Sequence, residues 1–416
     1  PAVFGPDRHS PATLMIAILQ VVVDERGVVK MFATSRYGQR VVKVKIERVA
    51  GEQGQAGAGA LEANLESQYT VFYRDNETLT GLDRANGQRF RARPELAMPM
   101  RALWGFSRPS VSVDYTYYDL DDYDLGDDTF DRTVPVAEWD NGLYFDRQSR
   151  LFDVPYNQTV EPRLYYAWAD ADADQNDIPD FDTDLQTFRF DQLFRPDRFT
   201  GGDRVGDANQ LTVALTSRFN DLLTGAERAR FSIGQVQYFD DREVTLFGQG
   251  AGTRSRSPLA GEVVLNPLDT LEIRSSGLWD PDTGNTEEGR SQLTFHSSDY
   301  RYLASVGHTY SRDELEQSDI AAVFPVTDRV SLIGRWVYDS NLDRTVGSLA
   351  GLEYNDCCWS VQLVHQNYLT DDEQLESRML FQIQLKGLGG SDGASSSISQ
   401  AIYGFDERER RRFGTP

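Results

Sequence analysis

The sequence predicts an all-β protein: an antiparallel transmembrane β-barrel, here the C-terminal part, about 14 strands, of a larger barrel. Three observations predict it. From about residue 65 onward, apolar residues return at every second position in stretch after stretch. No comparable stretch repeats at i, i+3, i+4, i+7, so helix is scarce. Connections alternate between short turns and long acidic loops, the habit of barrels embedded in an outer membrane. The chain has 416 residues, of which 39% are hydrophobic, and its mean hydropathy is −0.50. Its longest largely apolar run, Ala12 to Val23, contains Thr13 and Gln20 and is closed by Asp24-Glu25-Arg26. A spanning helix needs roughly 20 apolar residues, so a helical membrane protein is excluded. A barrel is not, because its alternating strands average out in hydropathy.

In chain order, the opening 48 residues stand apart. They carry eight Lys/Arg against four Asp/Glu, in a chain whose formal net charge is −23. Three of the chain's four lysines, Lys30, Lys43 and Lys45, lie there; the fourth is Lys386. Val42, Val44 and Ile46 alternate with Lys43, Lys45 and Glu47, so this segment can hold a strand. Gly51 to Ala60 reads as a flexible joint. Residues 1–56 are left as an unassigned N-terminal segment.

The strands follow. Val111, Val113, Tyr115 and Tyr117 alternate with Ser112, Asp114 and Thr116. Leu211, Val213 and Leu215 alternate with Thr212, Ala214 and Thr216. Val330, Leu332, Gly334, Trp336 and Tyr338 share one parity, opposite Ser331, Arg335 and Asp339. Trp359, Val361 and Leu363 oppose Ser360, Gln362 and Val364; Met379, Phe381, Ile383 and Leu385 oppose Gln382, Gln384 and Lys386. Residues 266–269 and 325–328 read as short turns. Residues 119–131, 169–184 and 280–290 read as long acidic loops. Aromatic residues crowd strand ends, as at Tyr117-Tyr118, Tyr165-Tyr166, Trp168, Phe239 and Tyr338, where girdles belong.

Closure supplies the physical logic. In hydrocarbon an unpaired backbone N–H or C=O costs several kcal/mol, so strands must pair all the way round. The apolar parity then faces lipid and the polar parity faces the lumen. By parity the lumen-facing set includes Ser112, Asp114, Thr212, Arg218, Arg335 and Gln384. A soluble sandwich or propeller also alternates, but its outward face is the polar one.

The sequence offers little for catalysis. His9, His296, His308 and His365 have no metal-ligand spacing, and two cysteines exclude a cysteine-based zinc cluster. No Gly-Lys dipeptide exists, so no phosphate-binding P-loop is present. Gly389-Gly390-Ser391-Asp392-Gly393 matches a hydrolase elbow formally, but no histidine follows it. Asp170, Asp172, Asp174 and Asn176 resemble the start of a calcium loop. Gln175 occupies the glycine position and Phe181 the closing glutamate position, so a solvated acidic loop is expected instead. The acidity argues against nucleic acid as a partner. No enzyme, cofactor or metal is expected. Adjacent Cys357 and Cys358 would point to opposite faces if they lay on a strand.

Five strings carry a resemblance: NQTVEPRLYYAW from Asn157, DQNDIPDFDT from Asp174, QLFRPDRFTGGDRVGDANQLTVALTSRF from Gln192, ERARFSIGQVQYF from Glu227 and LEYNDCCWSVQL from Leu352. They resemble the outer-membrane lipopolysaccharide-assembly family LptD (OstA), in the right order, from about residue 65 to 390. Residues 1–56 do not resemble it. The resemblance implies a C-terminal barrel region over residues 57–390, followed by a flexible Gly/Ser then Arg-rich tail over 391–416. It further implies a periplasmic jellyroll before the barrel, reached by the bridge protein LptA, and a lipoprotein plug, LptE. Lipopolysaccharide would leave sideways into the outer leaflet, between the first and last strands. Cys357 and Cys358 would be disulfide-bonded to cysteines of the N-terminal region. Met379, Phe381, Ile383 and Leu385 would lie on the last strand of that lateral gate. Location in the outer membrane of a Gram-negative bacterium, among its lipids, follows. Because the jellyroll, first strands and N-terminal cysteines are absent, the chain reads as a C-terminal fragment. The competing expectation is another outer-membrane porin or transporter barrel.

Overall fold

A computed structural model describes residues 28–36, 39–49, 61–72, 84–121, 123, 127–151, 154–246, 249–369, 375–385, 398–399 and 401–413, with no side-chain description for 28–49, 151, 384–385 and 412–413. The apolar run at 12–23, His9, the joint at 51–60 and the Gly-rich stretch at 389–393 lie outside the described residues.

Period-two patterning produces strands throughout. The first half holds β1 (Val28–Arg36), β2 (Gln39–Val49), β3 (Glu62–Phe72), β4 (Asn86–Ala97), β5 (Met100–Ala102), β6 (Gly105–Asp121), β7 (Thr129–Leu143), β8 (Phe145–Leu151), β9 (Val154–Ala169) and β10 (Ala208–Asp221). The second half holds β11 (Glu227–Tyr238), β12 (Leu259–Leu268), β13 (Leu271–Asp280), β14 (Asn285–His296), β15 (Leu303–Ser311), β16 (Leu315–Pro325), β17 (Val330–Asp339), β18 (Arg344–Asn355), β19 (Trp359–Leu369) and β20 (Leu375–Leu385). All belong to one 20-stranded antiparallel sheet. Each strand from β9 to β19 pairs with its successor in sequence. Among the described residues β20 does not pair with β1, so the sheet is an open arc of barrel wall.

The strand count exceeds the sequence expectation of about 14. The reason is turn length. Residues 280–290, expected as a long loop, are mostly strand: Asp280 pairs with Asn285, and the turn 281–284 closes on Gly284, whose φ is +73°. Two further strands fall in the opening segment that sequence reasoning left unassigned. β2 pairs along its length with β3, from Gln39↔Phe72 to Val49↔Glu62.

Antiparallel pairing sorts the links by end. Residues 170–207 and 239–258 leave from one end; 222–226, 269–270, 326–329 and 356–358 leave from the other, hereafter the short-link end. Two segments pack against the inner face. One is 170–207, with 3-10 turns at Ala173–Asp177 and Phe190–Phe194. The other is C-terminal, ending in helix α1 (Phe405–Phe413). The Arg-rich end is therefore an ordered helix, not the flexible tail its composition suggested, because it finds apolar partners on the wall.

Candidate functional site: the inner face and its inserts

The strands β6, β10, β17, β19 and β20 each present two unlike faces. Val113, Val213, Leu332 and Ile383 are 38%, 53%, 47% and 51% exposed on the outer face. Trp139, Trp168, Trp279, Trp336 and Trp359 are also exposed. Their strand neighbours Ser112, Asp114, Thr116, Thr212, Thr216, Ser331, Ser360, Gln362 and Gln382 are buried. A protein stable in water hides the first set and displays the second. Here the order is inverted, as lipid on the outside requires.

Of the residues assigned inward by parity, Ser112, Asp114 and Thr212 are buried on the inner face. Arg218 shares that face between Glu161 (3.1 Å) and Glu227 (2.6 Å). Arg335 lies 3.8 Å from Asp319. The Gln384 and Leu385 side chains lie outside the described residues. Met379, Phe381 and Ile383 are exposed on β20, which among the described residues pairs with β19 alone.

The segment 170–207 is not the solvated loop expected from its acidity. Three inward arginines of the wall hold it. Arg89, fully buried, bonds Asp203 at 2.6 Å and Asp182 at 2.7 Å. Tyr118 donates its hydroxyl to Asp203 Oδ1 at 2.9 Å. The Phe181 and Asp182 N–H groups donate to Asp203 Oδ2, each at 2.8 Å. Arg132 donates to the carbonyls of Gly202 (3.1 Å) and Asp203 (2.8 Å) and to Gln175 Oε1 (3.0 Å). Arg91 bonds Asp114 and the Gly201 carbonyl. Burial pushes the Asp182 carboxyl up, but the Arg89 guanidinium and the Gly202 N–H outweigh it and hold it below the ordinary value. Phe181 stacks on Phe72 at 4.2 Å, and Arg89 covers the same ring at 4.9 Å.

Glycines make this fit. Gly201 has φ +69°, and a Cβ there would collide with the Asp182 carbonyl. A Cβ on Gly202 would meet the Arg89 guanidinium at 2.8 Å. Sequence reasoning missed this network. Its signal was present in Arg89, Arg91 and Arg93, three arginines at alternate positions of β4, which must share one face.

Cys357 and Cys358 are exposed, share no disulfide with a described residue, and lie off the strands in the link 356–358 at the short-link end. Their sulfurs approach to 2.8 Å. The expectation that they point apart fails, because the bend lacks strand alternation. His296 stacks on Tyr300 at 3.9 Å. Among the described residues no group of three His, Cys, Asp or Glu could hold a metal ion.

A continuous antiparallel wall, apolar outside and polar within, defines an outer-membrane β-barrel protein of Gram-negative bacteria. The description "LptD: LPS transport system D" matches residues 48–329, and the chain belongs to this family. The match begins within the opening segment read as unlike the family. The chain is 79% identical to an "LPS-assembly protein LptD" of Marinobacter nauticus over 87% of its length and 46% of that protein. It is 43% identical to the protein of the same name in Hahella chejuensis, over 84% of this chain and 45% of that one. It thus spans about half the length of these curated relatives. The ferric-catecholate import receptor Fiu of E. coli K12 overlaps 87% of this chain and 70% of its own, at 10% identity and a TM-score of 0.40. That overlap is too slight to bear on function.

Proposed function

We propose that this chain is barrel wall of an outer-membrane machine that inserts lipopolysaccharide into the outer leaflet. The observation that carries the reading is the two-faced wall in a chain of the LptD family. Acyl chains stay against the outer face while the sugar passes the polar inner face. The work is partition and conduction, with no covalent step, enzyme activity or cofactor. Ser112, Asp114, Thr212, Arg218, Arg335 and Gln384 would line the sugar path. Met379, Phe381, Ile383 and Leu385 on β20 would form one side of the lateral gate, for which an unpaired edge is the physical requirement. A lipoprotein plug of the LptE kind would share the interior. A bridge protein of the LptA kind would deliver substrate through a domain outside this chain.

Cys357 and Cys358 would bond to cysteines elsewhere in the intact protein. Two exposed thiols at the short-link end support this, because outer-membrane barrels turn their short connections toward the periplasm, where disulfides persist. A mobility difference between the native protein and a Cys357→Ser/Cys358→Ser variant on non-reducing gels checks it; identical mobility contradicts it.

The decisive experiment places a photo-crosslinking amino acid at Thr212 or Arg335, and at Val213 as an outward control. Lipopolysaccharide should be captured through its sugar from the inner positions only. Capture at Val213 alone, or a full outer leaflet after depletion of the protein, would refute the reading.

A further inference from the structure

One patch of the inner face departs from its polar character. Leu303, Ala321, Val323, Ile333, Leu349 and Val364, on β15 to β19, form a contiguous apolar cluster. Apolar surface turned toward a wet interior is unfavourable unless covered. Its cover is the C-terminal segment of the same chain. Ile398, Ile402 and Phe405 are at most 1% exposed and pack into that cluster. Their spacing of four and three residues suits one face of a helix. The Ile402 N–H donates to the Ile398 carbonyl at 2.7 Å. Gly404, with φ +84°, then turns the chain into α1.

Arg408 follows Phe405 by three residues and is fully buried. Its guanidinium grips Glu353 of β18 through two bonds, at 2.7 and 2.9 Å. Both side chains of that pair have no solvent exposure. Such a pair fixes register more than it adds affinity. Contacts also reach far along the arc. The Tyr403 hydroxyl donates to Glu272 of β13 at 3.1 Å, and Arg411 lies 4.7 Å over the ring of Tyr300. The segment therefore spans the inner face from β18 to β13 near the short-link end, where β20 delivers it.

We propose that residues 398–399 and 401–413 are a self-docked luminal plug, seated on the apolar patch of β15–β19 and keyed in place by Arg408 and Glu353. It narrows the short-link mouth of the interior, and any bulky solute entering there must displace it. This inference holds for the barrel whether or not lipopolysaccharide is its cargo.

Single-channel conductance in planar bilayers tests it, on the protein at its natural length, with heat-dependent gel mobility reporting folding. Arg408→Glu and Glu353→Arg should each raise conductance severalfold, and the double variant should return it to the starting level. Deletion of residues 398–416 should open the path as well, and a peptide of residues 397–416 should close it again, whereas the same peptide with Arg408→Glu should not. Unchanged conductance in the folded single variants overturns the proposal, as does a double variant no better than either single. Should both singles fail to fold, Ile402→Ala replaces them: raised conductance supports the plug and unchanged conductance refutes it.

Discussion

Placing an arginine at Leu332 asks which way the wall faces. On β17 the outward positions are Val330, Leu332, Gly334, Trp336 and Tyr338, with Leu332 and Trp336 47% exposed. Tyr338 approaches one interface and Val330 the other. A strand rises about 3.4 Å per residue. Tilted by about 40°, it changes depth by about 5 Å for each outward step of two residues. Gly334 then lies near the midplane and Leu332 about 5 Å from it. An arginine costs about 2–4 kcal/mol at the midplane and falls toward nothing at the interface, so Leu332→Arg should cost about 2–3 kcal/mol. The assay is guanidinium unfolding in phospholipid vesicles, read by tryptophan fluorescence, with Leu332→Ala measuring the lost apolar area alone. If the arginine variant is as stable as the alanine variant, Leu332 does not face hydrocarbon and the orientation of the wall is wrong.

Three further outcomes follow from the inner network. Arg89→Leu strands the buried Asp203 carboxylate and should cost about 3–5 kcal/mol, as broken buried pairs do. Trypsin should then cut within 170–207 while the wall keeps its folded mobility; a loop as resistant as wild type would contradict the assignment. Gly201→Ala forces a side chain onto a backbone at φ +69° against the Asp182 carbonyl, so the loop should lose more than about 1 kcal/mol of protection by hydrogen exchange. Acid should loosen the same loop. The Asp182 carboxyl is held below its ordinary value of 3.8, so its stabilisation is fully present above that pH and is lost as pH falls through the depressed value. Protease resistance of 170–207 should fall in that acid range, and Asp182→Asn should remove this dependence.

The alternation at Val111–Tyr117, Leu211–Thr216 and Trp359–Val364 made strands and their two faces legible, because side chains on a strand alternate whatever surrounds it. Turn boundaries were less legible. Residues 280–290 carry Asp280, Asp282, Glu287 and Glu288, yet most of the stretch is strand, since backbone pairing between β13 and β14 outweighs local composition. The pairing of β2 with β3 was equally hidden, because lysine-rich usage around Lys43 and Lys45 marked the segment as foreign although its period was already right for a strand.

The inner inserts mark where sequence reading stops. Periodicity and short turns determined by themselves that this chain is antiparallel β, that its apolar parity is continuous, and that closure in lipid explains both. Tertiary structure alone decided that the acidic segment 170–207 turns inward onto Arg89 and Arg132, and that Arg408 reaches Glu353. The reason is distance along the chain: Arg89 and Asp203 are separated by 114 residues, as Glu353 and Arg408 are by 55. Buried charge is tolerable only where an opposite charge arrives to meet it, and no local pattern records that arrival.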